Sequence, residues 1–551
     1  MTAQQTCRIE SALKTIGLLI YFIVVLLFLL VSIRTWVYVY DEGFALLNGE
    51  RILRGDLPYR DFWTIYPPGQ SYVLAAVFAL FGHTLTAARV YDTLVRLVIV
   101  IGVYMVGRRV AGVPVALIAA AWVTLWLGTV MFYAYAVFPA LAWSLFVLLG
   151  LIEYAGTDRL YWLAFSGVLT GVTALFRIDI ALYLGISVVL ALSLSVHRSA
   201  GARRRSVLRP FVWFIGCAAA IAWPFYMYLL VAAGAERVWQ GLVLFPATTF
   251  RAVRHLPYPQ LLPDFVLFSR SPREYARWGQ FYLPLLIAVI SALSLGVSRI
   301  KRRNAGWAAN ADVSPDRRRS IGGVVITVWG VLLFAQALSR YDWIHALPAA
   351  IGALLTLSFL IGWLPWRDWR RWSPMALVAA VALMAVSGVF LSVYIPQPIE
   401  NLKAILQYAS PFKCHSTLER SGCAVLSPNQ AQAIAFIRAQ TAPDEPIFVG
   451  NRRHDLLFVN DVAFYFLAGR PCATAYHELH PGVANTLSVQ QTIADDLARH
   501  GVRWIVLVEW PPSTEPNGSA VSSEVTYLDN WIRAHYRPVT GWGEYMVWTR
   551  P

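Results

Sequence analysis

The residues with the most chemistry in them stand in three short stretches. Asp41 and Glu42, in "YVYDEG", follow the first long apolar run; Arg177 and Asp179 stand in "FRID"; Arg340, Asp342 and His345 stand in "SRYDWIH". A carboxylate can take a proton from an attacking hydroxyl, while Arg and His can hold a phosphate that leaves as an anion. Ionisable groups at the edge of apolar helices are costly to keep there, so their grouping points to function. The bland alternative for each is an arginine snorkelling to lipid headgroups with an aspartate beside it. For Arg177 and Asp179, a pair tying two helix ends together is equally open.

The elements that must position these groups are membrane helices. The chain has 551 residues, 58% hydrophobic and 14% charged. Its apolar residues come in runs of roughly 17 to 22, the length that crosses a bilayer as helix. Candidate spans are 16–33, 90–107, 113–130, 135–152, 160–176, 180–196, 211–233, 281–297, 321–338, 346–364 and 375–395, eleven in all. The run 16–33 has no small-residue cleavage site after it and reads as a retained helix. The segment 72–82 reaches only ~17 Å as helix against a core of about 30 Å, so it is expected on the outer surface or re-entrant. The net charge of +15 does not point to nucleic acid, because the densest basic runs lie between apolar segments, where they orient helices.

With the N-terminus inside, "GRRVAG", Arg159, "HRSAGARRRSVLR", the run from "SRIKRRN" to "DRRRS", and "WRDWRR" all fall on the cytoplasmic side. If 72–82 spanned instead, all of them would be exported. The preferred threading brings the three polar clusters out at one membrane face. It divides the chain into a transmembrane module, 1–395, with external loops 34–89 and 234–280, and an extracytoplasmic α/β domain, 396–551. In that domain the short apolar runs "PIFVG" and "VRWIVLVE" alternate with helical stretches such as "PNQAQAIAFIRAQ" and "SVQQTIADDLARHG".

Other features have plainer readings. Arg60 and Asp61 in "PYRDF" either touch a sugar or cap a helix, and "YPPG" sets a loop-to-helix turn. Trp63, Tyr66 and Tyr72 suit sugar stacking or an interfacial aromatic belt equally. The basic, aromatic loop 234–280 is either a cover over the site or a headgroup contact through Arg251, Arg254 and His255. His477, Glu478 and His480, in "CATAYHELHPG", read as a solvated loop rather than a metal site. Cys414 and Cys423 in "CHSTLERSGC" have the spacing for a short disulfide loop.

"YDEG", "LRGDLPYRDF", "YPPGQSYVLAAVFALFG" and "AARVYDTLVRLVIVIGVYMVGRRVAG" resemble the opening of membrane glycosyltransferases of the GT-C superfamily, in the branch of protein mannosyltransferases and aminoarabinose transferases. "LFRIDIALY" and "LSRYDWIHALPA" resemble further motifs of bacterial members. The resemblance implies a polytopic helical fold and an inverting transferase at the outer face of the cytoplasmic membrane. It implies a polyprenyl-phosphate sugar as donor and a hydroxyl on a cell-envelope glycan, lipid or protein as acceptor. Asp41 matches the family's acidic residue, a general base or, in some branches, a ligand to a divalent cation (Mg or Mn); Glu42 is its catalytic neighbour. Arg340, His345 and Arg177 are the expected ligands of the donor phosphate, with Asp342, Asp179, Arg60 and Asp61 in support. The competing class is a transporter or flippase of lipid-linked sugars, which would keep charges or broken helices near the bilayer middle and often shows repeated halves.

Overall fold

The structure, a computed structural model, describes residues 3–130, 133–196, 204–262, 272–304, 315–363, 374–392 and 418–551. The basic loops at 197–203, 305–314 and 364–373, and Cys414, lie outside the described residues. Among the described residues, seven helices are long and apolar enough to cross a membrane, and five more apolar helices run 10–17 residues. This is a multi-pass membrane protein. Among the described residues, each of the eleven apolar runs overlaps a helix.

In chain order the first helices are α1 (Ala3–Val31), α2 (Asp41–Leu53), α3 (Gly69–Phe81), α4 (Leu85–Ala111), α5 (Val113–Thr129), α6 (Val137–Thr157), α7 (Leu160–Phe176), α8 (Ile178–Val196) and α9 (Arg204–Ala233). Helices Pro272–Asn304, Pro315–Ser339, Trp343–Trp363 and Pro374–Leu391 complete the bundle. α6 and Trp343–Trp363 are enclosed on nearly all sides, whereas α1 and α9 turn residues such as Leu19, Trp223 and Val231 outward. Lipid tails offer no hydrophobic gain to helix pairing, so close backbone approach has to supply it. Gly330 and Gly352 show this: a Cβ on Gly352 would stand 2.6 Å from Gly330 Cα.

The N-terminal end of α4 carries three buried ionisable groups. Arg96 Nε donates to Asp92 Oδ2 at 2.6 Å, and Asp92 Oδ1 accepts from the Ala134 amide at 3.1 Å. Arg89 and Arg96 lie 4.4 and 4.6 Å from the centroid of the Tyr133 ring, on which both guanidiniums stack. Through these contacts α4 fixes the loops that follow α1 and α5.

α2 and α3 lie outside the eleven runs and are short. α3 begins directly after Pro67 and Pro68, as the "YPPG" turn predicts, and its 13 residues end at Phe81 with Leu80 and Phe81 exposed.

The C-terminal region folds on a mixed sheet, β1 (Phe448–Asn451), β2 (Trp504–Val508), β3 (Arg537–Trp542) and β4 (Tyr545–Thr549), in the order β1-β2-β4-β3. β1 and β2 are parallel; β4 runs antiparallel to both β2 and β3. Helices Pro428–Gln440 and Leu487–Arg499 form where the sequence places them, the first capped by the Ser427 hydroxyl, which accepts from the Gln430 amide. This region shares one apolar cluster with the first external loop, in which Phe44, Leu46 and Leu47 of α2 join Leu74 of α3, Phe464, Phe466 and Val506. Cys423 is disulfide-bonded and its partner lies outside the described residues; Cys472 is free.

Candidate active site

The chain after α1 is pinned before it reaches Asp41. Val37 donates its amide to Val425 O at 3.2 Å, and Val425 returns its own to Thr35 O at 3.2 Å. The Ala463 amide donates to Val39 O at 2.9 Å, and Gly43 packs so tightly there that a Cβ would meet Ala463 N at 2.3 Å. Asp41 therefore opens α2 at the seam between the first external loop and the C-terminal region.

The two acidic residues part company at this point. Glu42 is fully enclosed and accepts two charge-assisted hydrogen bonds from Arg89, Nε to Oε1 and Nη2 to Oε2, both 2.7 Å. Its Oε2 also accepts from the Tyr38 amide at 3.2 Å. Arg89 donates onward to the carbonyls of Ile33 (2.6 Å), Thr35 (3.0 Å) and Trp36 (3.1 Å). Glu42 is the lock of this turn, with its oxygens taken, contrary to the catalytic part expected for it.

Asp41 faces the other way, among charges from two further segments, Arg254 and the stretch 340–345. Burial pushes its carboxyl up to about 6; Asp342 adds to that, while Arg254, His345 and Arg340 pull it back. Asp342 has the opposite balance. Burial alone would raise it, but His345 and Arg340 outweigh that and hold its carboxyl well below the usual range. Its Oδ1 accepts from His345 Nδ1 at 2.6 Å and from the His345 amide at 3.1 Å, and its Oδ2 accepts from Arg340 Nε at 2.7 Å. A carboxylate can only accept, so Nδ1 of His345 carries the proton and Nε2 is the edge left over.

Arg177 is bound at two points by Asp179, at 2.9 and 2.7 Å, and Gln336 Nε2 donates to the same carboxylate at 3.2 Å. Its guanidinium lies 5.5 Å from the Tyr66 ring centroid. Tyr66 and Tyr135 pack edge to face with centroids 6.2 Å apart, and both sense the charges of Asp41 and Arg177. The 340–345 cluster thus faces Asp41 directly, and Arg177 is linked to it through the two tyrosines that sense both charges.

Arg60 and Asp61 do not join them. They pair with each other at 2.9 and 2.7 Å, and Asp61 Oδ2 accepts from the Leu57 amide at 2.7 Å, which closes the turn after α2. Both line a separate cavity of about 730 Å³ with Arg51, Arg54, Asp444 and Arg499, a set that does not include Asp41.

The structure also brings in residues that have plainer readings in the sequence. His477, Glu478 and His480 are buried, not solvated. His480 sits among Trp63, Phe245 and Phe250, with centroids 5.6, 5.1 and 5.9 Å away, and burial drives its imidazole down to about 3. Burial lifts the Glu478 carboxyl to about 8 and the charge of Asp41 adds to that, while Asn48 and Thr64 beside it pull it back. Arg254, from loop 234–280, faces Asp41 and Tyr40 and not open headgroup space. The signal in the sequence was the ionisable triplet itself, set among Tyr476, Leu479 and Pro481.

Among the described residues, no group of three or more His, Cys, Asp or Glu is placed to hold a metal ion. Asp342, a second carboxylate facing Asp41, gives its oxygens to Arg340 and His345, so the described residues do not assemble an oxygen cage for a hard cation.

No family model and no curated protein sequence matches the chain. Solved structures do. The chain is similar to ArnT from Cupriavidus metallidurans bound to undecaprenyl phosphate, at 16% identity and a TM-score of 0.55, over 97% of this chain and 98% of that one. It is similar to the Archaeoglobus fulgidus oligosaccharyltransferase at 12% identity and 0.51, over 89% and 69%. It is similar to the arabinofuranosyltransferase AftD from Mycobacteria at 13% identity and 0.50, over 97% and 40%. The polar seam around Asp41 is therefore built on a fold that the chain shares with these solved structures.

Proposed function

We propose that the chain is a membrane glycosyltransferase that moves a sugar from a polyprenyl-phosphate donor to a hydroxyl acceptor of the cell envelope, with inversion. The observation that carries this reading is Asp41: a carboxylate poised near 6, facing Arg254, Arg340 and His345, at the mouth of the first external loop. The acceptor oxygen attacks the anomeric carbon, a glycosidic C–O bond forms, and the bond from that carbon to the phosphate oxygen breaks. The electron pair leaves with the polyprenyl phosphate, and the hydroxyl proton passes to Asp41. Arg340, His345 and Arg177 hold the departing anion, and Asp342 and Asp179 orient them through the hydrogen bonds described above. Glu42 serves the fold of the loop. No step is routed through a divalent cation.

The undecaprenyl phosphate bound by ArnT supports a polyprenyl donor here. We read all eleven apolar runs as spans, the N-terminus as cytoplasmic, and 396–551 as outside the cytoplasmic membrane. The separation of basic loops from the Asp41 seam supports that sidedness.

The deciding experiment replaces Asp41 by Asn in purified protein. Transfer of labelled sugar from polyprenyl-phosphate donors to cell-envelope acceptors is expected to fall by about 10²–10⁴-fold, with the thermal melt and donor binding retained. Wild-type protein that transfers nothing from any donor, yet moves lipid-linked sugar across liposomes, would be a transporter instead.

A further inference from the structure

Arg340, the cation assigned to the donor phosphate, already holds an anion. Its Nη1 donates to Glu515 Oε2 at 2.8 Å and its Nη2 donates to Glu515 Oε1, the two-point grip that guanidinium also gives phosphate. Its Nε is spent on Asp342, and Nη1 also donates to the Arg254 carbonyl at 3.0 Å. Arg254 stands on the far side of the same carboxylate, Nη1 3.8 Å from Glu515 Oε2, and this Nη1 is buried without a hydrogen-bond partner. A guanidinium edge left dry and unfilled is a costly arrangement that a larger oxyanion would relieve.

Glu515 reaches the site from the C-terminal region, on the loop between β2 and helix Tyr527–His535. Asn517 Nδ2 donates to its Oε2 at 2.9 Å. The tip of this loop rests on the short helix Thr249–Arg254, where a Cβ on Gly518 would stand 3.2 Å from Val253 Cα. The Glu515 side chain keeps 20% of its surface open, so it sits at the mouth and not in the floor.

Charge decides what happens when a donor arrives. Asp41, Asp342 and Glu515 already face Arg340, Arg254 and His345. A phosphate added to this set brings a further anion into a partly desolvated site. A phosphate exchanged for Glu515 leaves the balance nearly unchanged.

We propose that Glu515 is a built-in stand-in for the donor phosphate: it occupies the position between Arg340 and Arg254 in the empty enzyme and is displaced when the donor binds. The proposal rests on the polyprenyl-phosphate reading above. Its consequence is a latch that ties the C-terminal region to the donor site only while that site is empty.

The test titrates undecaprenyl phosphate against the full-length protein in nanodiscs, wild type beside Glu515→Gln, with thermal melts on both. Gln keeps the shape and removes the competing charge, so binding is expected to tighten by about 5-fold or more. If Gln fails to fold, Glu515→Asp, which keeps the charge but withdraws it by one methylene, is expected to tighten binding in the same direction. Equal affinity in wild type and a folded variant overturns the exchange and leaves the donor reading standing. Weaker binding in the variant also overturns it, because Glu515 would then be a brace. If no form binds undecaprenyl phosphate while the melts are normal, the donor reading fails and the exchange with it.

Discussion

Glu42 and Arg89 meet through two hydrogen bonds of 2.7 Å with neither side chain exposed, so the first acidic neighbour of the candidate base is committed to holding the chain. Arg89 stands four residues into α4 and ties three carbonyls of the 33–36 segment to it. Breaking one half of an enclosed pair leaves an uncompensated charge, at a cost of about 3–5 kcal/mol. Glu42→Gln and Arg89→Leu are therefore expected to lower the thermal midpoint in detergent sharply, whereas Asp41→Asn does not lower it. If Glu42→Gln melts like wild type and only transfer is lost, Glu42 belongs to the chemistry after all.

Much of the helical architecture was legible because each helix announces itself by a local apolar run. The run 160–176 coincides with Leu160–Phe176, and "YPPG" marks the start of α3 within a residue. The facing of Arg340 and Asp342 toward Asp41 accords with the expectation that these stretches emerge at one membrane face, since charges at the ends of packed helices on one face have few places to go. What could not be read was the docking of the C-terminal region on α2. That contact joins residues more than 400 apart, Gly43 to Ala463 and Arg51 to the Thr474 carbonyl at 2.8 Å, and no period in the sequence says which apolar faces will meet. The same blindness turned His477, Glu478 and His480 into an exposed loop and left Glu42 beside Asp41 as an apparent catalytic partner.

The raised carboxyl of Asp41 predicts opposite pH trends for activity and stability. The base works only when ionised, so kcat/KM should rise with pH along a limb centred near 6. The ordinary carboxyl value is 3.8, so the folded protein holds this proton more tightly than the unfolded chain does. Its contribution to stability is complete below about 4 and is lost as pH climbs through about 6. Thermal melts of wild type and Asp41→Asn should therefore diverge between those values, with the Asn variant the more stable at neutral pH. A flat activity profile from pH 5 to 7 in wild type would remove Asp41 from the role of base.

Glu478 extends that argument to the alkaline side. Burial first, then the nearby charge of Asp41, holds its carboxyl at about 8 against an ordinary 4.5, while Asn48 and Thr64 pull it down. At pH 7 it is therefore a neutral acid beside an ionised base, and the two carboxyls lose their protons in separate steps. Above 8 a further anion appears beside the proposed phosphate site, and donor affinity should fall. Gln is a neutral match for the protonated form, so Glu478→Gln is expected to keep wild-type donor affinity at pH 7 and to retain it at pH 9, where wild type weakens. The stability signs agree: wild type loses the contribution of this proton as pH rises from about 4.5 through 8, and the Gln variant does not. Measuring undecaprenyl-phosphate binding and the melt across that range checks both. If wild type and Glu478→Gln weaken together above pH 8, the alkaline change lies in another group and Glu478 is a structural residue.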